Sequence, residues 1–217
     1  MSEMTPRHLL SPLALFLPLF LILGACSGDE ERLREPVQED YISQARSLLE
    51  GDQVFDAHAW MGTVSKTLLP EGAPIRYRFD PAGEDRMTLR MDELQIGTMP
   101  LTVWFKVDVK FMQLNSWELK EYPGDGWVKF YGDKGSTTYS ANAQETEYED
   151  GSGSGGTVTG FLNVKTGMIE MSVNFNVLNF TSEVPLQKID KTRFSRYAEE
   201  KAAYEAALIA YKEAHGL

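Results

Sequence analysis

A strict alternation of apolar and polar residues over positions 101–111 restricts the fold of this chain more than any other feature. The apolar positions are Leu101, Val103, Phe105, Val107, Val109 and Phe111. Successive side chains of a β-strand point to opposite faces, so the pattern predicts a strand with one buried and one solvated face. A parallel sheet covered on both faces is excluded, because its strands read as continuous apolar runs.

Period-two patterns recur from Gln53 to about Ser182 and indicate about nine strands. The segments that carry them are 54–64, 75–79, 87–91, 101–111, 117–119, 128–130, 136–148, 158–164 and 169–177. Turn residues separate them, including Asp125-Gly126 and the run Gly132-Asp133-Lys134-Gly135. Short turns make successive strands antiparallel, and nine strands tend to close into a barrel or split into a sandwich. We expect one of these two architectures.

Two amphipathic helices flank the predicted strands. Residues 37–50 carry apolar residues at helical spacing after Pro36. Residues 192–214 form a longer, alanine-rich helix, whose apolar stripe consists of Phe194, Tyr197, Ala198, Tyr204, Leu208 and Tyr211. Residues 37–217 are therefore expected to form a single β-rich domain with a short N-terminal and a long C-terminal helix.

An apolar run from Leu9 to Leu23 precedes this domain. It is shorter than the roughly 20 residues that a membrane-spanning helix needs. The run ends in Leu23-Gly24-Ala25-Cys26. This stretch resembles the lipobox of bacterial lipoproteins, in which the last cysteine is acylated and becomes the new N-terminus. The resemblance implies a signal peptide over residues 1–25 and a lipid anchor on Cys26.

Residues 26–36 are polar and acidic and are expected to be a flexible tether. Asp29-Glu30-Glu31 resembles the short acidic export signal that some Gram-negative lineages place just after the acylated cysteine. Ser27, rather than aspartate, follows Cys26, so the usual inner-membrane retention signal is absent. These resemblances imply an outer-membrane lipoprotein displayed on the cell surface. The alternative location is the periplasmic face of the outer membrane. The alternative interpretation of the acidic run is a plain charged linker.

Charge and cysteine content narrow the range of partners. The net charge of -11 repels phosphate backbones and anionic headgroups, which argues against nucleic acid as a partner. Cys26 is the only cysteine, so its acylation leaves no thiol for a disulfide, a metal or nucleophilic catalysis. The expected membrane contact is the lipid anchor.

Three polar patterns carry weak signals for chemistry. Gly151, Gly153 and Gly156 match a dinucleotide-binding spacing, but a strand pattern follows them where a helix is required, so a hairpin loop is expected. Acids at 145, 147 and 149 could offer oxygen ligands to calcium, yet their spacing fits the face of an edge strand. His58 lacks the partners of a zinc site or a triad. No metal or cofactor is predicted.

The carboxylate pairs and the tryptophans are the remaining candidates. Asp92-Glu93 and Glu118 with Glu121 could act in acid and base catalysis, but no pair stands out. We expect ligand or partner contacts from the four tryptophans, which fall in predicted strands or at their ends: Trp60, Trp104, Trp117 and Trp127. Trp104 lies on the polar face of its strand, where either a ligand or one of the two helices would cover it.

The predicted architecture resembles the lipocalin-like, calycin-type fold of exported bacterial lipoproteins. The resemblance rests on strand number and the terminal helix, so it implies little about function. The first hypothesis is a non-catalytic binding module for a small apolar or glycan ligand, held in the barrel mouth or on the outer face. The alternatives are an assembly lipoprotein that contacts another envelope protein, and a hydrolase of envelope or dietary polymers.

Overall fold

A computed structural model describes residues 41–140 and 155–217. The strands are β1 Gly51–Met61, β2 Val64–Ser65, β3 Ala73–Pro81, β4 Arg86–Leu94, β5 Thr102–Met112, β6 Trp127–Ser140, β7 Gly156–Asn163, β8 Met168–Asn174 and β9 Phe180–Lys188. The helices are α1, described over 41–49, α2 Glu118–Glu121, and α3 Tyr197–His215, which a 3-10 turn at Arg193–Arg196 precedes. The predicted signal peptide, the tether and Cys26 lie outside the described residues.

The strands form a closed antiparallel barrel. Their order in the sheet is β2-β1-β3-β4-β5-β6-β7-β8-β9, and β1 also pairs with β9, from His58 opposite Glu183 to Met61 opposite Phe180. Eight strands therefore close the barrel, and β2 is an additional short strand on β1. The antiparallel prediction is confirmed, and of the two predicted architectures the chain adopts the barrel.

Aromatic side chains fill the barrel interior. Alternate residues of β5 point inward, as the sequence pattern predicts, and Phe105 is fully buried. Phe130 of β6 packs between Phe79 and Phe111, with ring centroids 6.1 and 5.6 Å away. Phe105 meets Phe175 edge to face at 5.4 Å. Each such buried ring contributes about 1.5–3 kcal/mol, so this core is the main source of stability.

Helix α1 closes one end of the barrel. Ala45 and Leu49 are fully buried in the interior core. Gln53 Nε2 donates to the carbonyl of Leu49 at 3.1 Å, which satisfies a backbone acceptor at the helix C-terminus. Arg46 Nη2 donates to the carbonyl of Gly83, in the turn between β3 and β4, at 2.5 Å. The described part of the predicted N-terminal helix thus belongs to the domain core.

Helix α3 lies on the outside of the barrel wall, against β3. Arg193 fixes its start, because its guanidinium donates to both carboxylate oxygens of Asp56 on β1, at 2.9 and 2.5 Å. The same guanidinium donates to Glu200 Oε2 at 2.6 Å. No residue of α3 is buried, and Tyr197 and Tyr204 of the predicted stripe are half-buried against the wall. The predicted C-terminal helix is confirmed.

Three local predictions were wrong, although the strand count agrees. The segment around Trp117 is helical, because Asn115 Oδ1 accepts the backbone N–H groups of Trp117 and Glu118 and starts α2. Gly132 and Gly135 lie inside β6 and mark a shift in its pairing with β7, not a turn. Strand β9 was not predicted, since it contains Pro185 and turns a polar residue, Ser182, inward.

Candidate functional site

The outer wall of the barrel carries a cluster of aromatic side chains beside α2. We call this cluster the aromatic face; its members are Trp117, Tyr122, Trp127, Tyr131 and Phe161. Residues 127 and 131 alternate with inward-facing Phe130 of β6, so they project outward. Large apolar groups gathered on one surface indicate a contact site more strongly than scattered ones do.

Three of the rings pack together, and two of them are stacked. Tyr122 lies parallel to Phe161, with ring centroids 4.1 Å apart and an interplanar angle of 18°. Trp127 packs against Tyr122 at 5.0 Å. Trp117, at the start of α2, is 73% exposed, and the ammonium of Lys120 lies 4.2 Å from its ring centroid. The aromatic face therefore combines a rigid stack with an exposed indole.

A groove of about 270 Å³ runs from this stack across β7, β8 and β9. Phe161 lines it together with Glu170, which lies directly opposite on β8. The next row across the strands places the Thr159 hydroxyl, the Ser172 hydroxyl and the Glu183 carboxylate side by side. Hydroxyls and carboxylates next to an aromatic ring can hydrogen-bond a polar ligand while the ring contacts its apolar face.

Polar contacts hold α2 against the strands. Glu118 forms an ion pair with Lys129 of β6 and accepts the backbone N–H of Asn115 at 2.9 Å. Although partial burial acts to raise it, these contacts hold the pKa of Glu118 below its usual value. The Tyr122 hydroxyl donates to Glu170, and burial together with that carboxylate raises the pKa of Tyr122. A carboxylate with a lowered pKa is a poor general acid, so Glu118 positions α2.

Comparison with known families matches residues 26–216 to the family described as "Domain of unknown function (DUF4903)". The chain belongs to this family. The comparisons with curated proteins and with solved structures gave no match. The DUF4903 match begins at Cys26 and ends at Gly216, so it covers the whole described barrel.

Two of the four predicted tryptophans of this DUF4903 chain meet at the aromatic face. Trp127 contacts Tyr122 directly, and Trp117 begins the short helix that Tyr122 follows. Trp60 lies elsewhere, on β1 next to β9. Trp104 is 2% exposed and lies outside the interior core, so it is covered on the outer side of its strand, which is one of the two alternatives that the sequence left open. Alternation fixes which face a residue occupies, but it does not show what covers that face.

The sequence also missed several groups of this site in the DUF4903 domain. Tyr122, Phe161 and Glu170 come from three separate elements, and only strand pairing brings them together. The sequence did contain one indication that Phe161 lies on the outer wall. Phe161 falls between the inward positions Gly160 and Leu162, so it must point outward.

Two further predictions concern other parts of the domain. Over the described residues, no helix has the length and apolarity required to cross a bilayer. The predicted glycine-rich loop and the acids at 145, 147 and 149 lie in the undescribed segment 141–154, apart from Gly156, which opens β7.

Proposed function

We propose that the mature chain is a lipid-anchored lipoprotein of the outer membrane, displayed on the cell surface, that binds a glycan on its aromatic face. The lipobox-like ending at Cys26 supports the anchor, and the family match that begins at the same residue is consistent with removal of residues 1–25. The acidic run after Cys26 supports surface display. An anchored barrel with a long acidic tether would hold its outer wall free for ligands.

The stacked rings beside a hydroxyl- and carboxylate-lined groove carry the glycan proposal. Sugar rings present C–H groups on one face, which pack on aromatic rings, and hydroxyl groups at the edge, which donate to carboxylates. Phe161 packs on Tyr122 with one ring face, and one oxygen of Glu170 accepts from the Tyr122 hydroxyl. Both Phe161 and Glu170 line the groove, beside the hydroxyl of the exposed Ser172. We place the ligand on this wall because the rings of Phe105, Phe130 and their neighbours occupy the interior.

The negative charge of the groove favours neutral glycans over anionic ones. Glu170 and Glu183 both line the groove, and the chain carries a net charge of -11. Uronic or phosphorylated sugars would meet like charges there. The proposed ligand is therefore a neutral saccharide.

Affinity electrophoresis of the mature protein in gels containing neutral or anionic polysaccharides tests the glycan proposal. We expect retardation by at least one of xyloglucan, starch or mannan, and none by polygalacturonate. Trp117→Ala should reduce the retardation several-fold, as an aromatic stacking contact contributes about 0.5–1.5 kcal/mol. Ile209→Ala, which truncates a 58% exposed side chain of α3, is the matched control. No retardation, stronger retardation by polygalacturonate, or equal loss in both variants would contradict the proposal.

The lipid anchor and the surface location need separate measurements. Mass spectrometry of the native protein should show acyl chains on an N-terminal Cys26, and protease treatment of intact cells should remove the protein. A Cys26→Ala variant should lose the acyl chains and the membrane attachment. An unmodified chain that starts at Met1 would exclude the anchor, and full protease resistance in intact cells would exclude surface display.

A further inference from the structure

The barrel wall has a gap between β3 and β4. Pairing between these strands ends at Tyr77 opposite Met91, whereas β3 continues to pair with β1 as far as Ala73. Strand β4 turns away at Glu93, whose φ of 54° breaks the strand conformation. The β3 segment 73–76 is therefore an edge within the wall, and Pro74 suits such an edge because it has no N–H to leave unpaired.

Helix α3 covers this gap with tyrosine hydroxyls. Tyr204 Oη accepts the backbone N–H of Gly97 at 3.2 Å, and Tyr197 lines the same side of the gap. Burial raises the pKa of both tyrosines, so both hydroxyls stay protonated. Because the Tyr204 oxygen already accepts a hydrogen bond, its own proton is directed to a further acceptor.

A cleft of about 330 Å³ remains between α3 and the gap. Along α3 it is lined by Tyr197, Lys201, Tyr204 and Lys212, which span about 22 Å of the helix axis. Lys201 Nζ lies 4.0 Å from Glu93 Oε2, and Lys212 Nζ donates to the carbonyl of Gly97 at 3.3 Å. One wall of the cleft is thus a row of hydrogen-bond donors that includes two cations.

Carboxylates flank this row. Glu93 of the barrel and Glu205 of α3 both line the cleft. Donors and cations recognise a carboxylate, and the two glutamates can accept from an ammonium group. A long, narrow cleft beside a strand edge fits an extended chain better than a compact molecule, since an extended peptide can run along such an edge.

We propose that the cleft between α3 and the β3 edge is a second binding site, which takes short peptides with a free C-terminal carboxylate. The carboxylate lies against Lys201 and Tyr204, and the rest of the peptide runs along α3 toward Lys212. This site is independent of the aromatic face, which lies on β6 and β7, whereas the cleft lies at β3 and β4. Its failure would leave the glycan proposal intact.

Isothermal titration of the mature protein with trialanine and with trialanine amide tests the proposal. Trialanine should bind, and the amide, which lacks the carboxylate, should bind at least about tenfold more weakly. Lys201→Gln should weaken trialanine binding about tenfold, and the effect should fall with added salt. Lys134→Gln removes an exposed cation of β6 and should leave the affinity unchanged.

Tyr204→Phe serves as a second variant, and its circular dichroism reports whether α3 stays folded. It should weaken trialanine binding and leave the amide unaffected. Absence of binding at millimolar trialanine, equal affinity for the acid and the amide, or unchanged affinity in Lys201→Gln would overturn the proposal.

Discussion

Gly160 lies in β7 at a position that faces the barrel interior, directly over the ring of Phe130. A Cβ at this position would lie 2.0 Å from the Phe130 Cζ atom and 2.5 Å from both Cε atoms. Carbon atoms in contact stay about 3.5–4.0 Å apart, so the ring would have to move by more than about 1 Å. Phe79 and Phe111 pack against Phe130 and leave it little room.

Gly160→Ala should therefore destabilise the barrel. Overpacking of a full core costs about 1–3 kcal/mol, and the reduced flexibility of alanine in the unfolded chain offsets at most about 1 kcal/mol of this. We expect a net loss of about 2 kcal/mol in the free energy of unfolding, measured by urea titration with tryptophan fluorescence.

A double-mutant cycle identifies the cause. Phe130→Leu alone should cost about 1–2 kcal/mol, but together with Gly160→Ala the total should fall at least about 1 kcal/mol below the sum, because the smaller side chain makes room for the methyl group. Phe55→Leu, at a ring that packs on Tyr77, is the control and should be additive with Gly160→Ala. A neutral Gly160→Ala, or additivity with Phe130→Leu, would refute the reasoning.

Two further predictions concern charged contacts. Arg193→Lys keeps the charge but loses the bidentate contact with Asp56. It should lower the free energy of unfolding by about 1–2 kcal/mol and speed hydrogen exchange at the start of α3. Unchanged exchange would show that the contact does not hold the helix. Glu118 has a lowered pKa in the folded state, so its contribution is present above the unfolded value of about 4.3 and is lost as the pH falls through the folded value. Glu118→Gln should therefore cost about 1 kcal/mol at pH 7 and progressively less as the pH falls below about 4, by urea titration across this range. A cost that does not decrease in acid would contradict the ion pair with Lys129.

Part of the candidate site was predictable from sequence. The outward position of Trp127 follows from its place in an alternating strand, and the structure sets it in the aromatic stack. The partners of Trp127 were not predictable, because Tyr122 follows a helix where the sequence pattern predicted a strand, and Phe161 comes from a different strand. The cleft under α3 depends on a break in β4 at Glu93, for which the sequence carries no turn residue.

By itself, the sequence determined the antiparallel strands, the two flanking helices and the inward face of β5, because backbone preference and side-chain alternation act over neighbouring residues. Tertiary structure alone decided the closure of the barrel, since the pairing of β1 with β9 joins residues as far apart as His58 and Glu183. It also decided that Trp104 is covered while Trp117 stays exposed. Such outcomes depend on packing between segments distant along the chain, which no local pattern encodes.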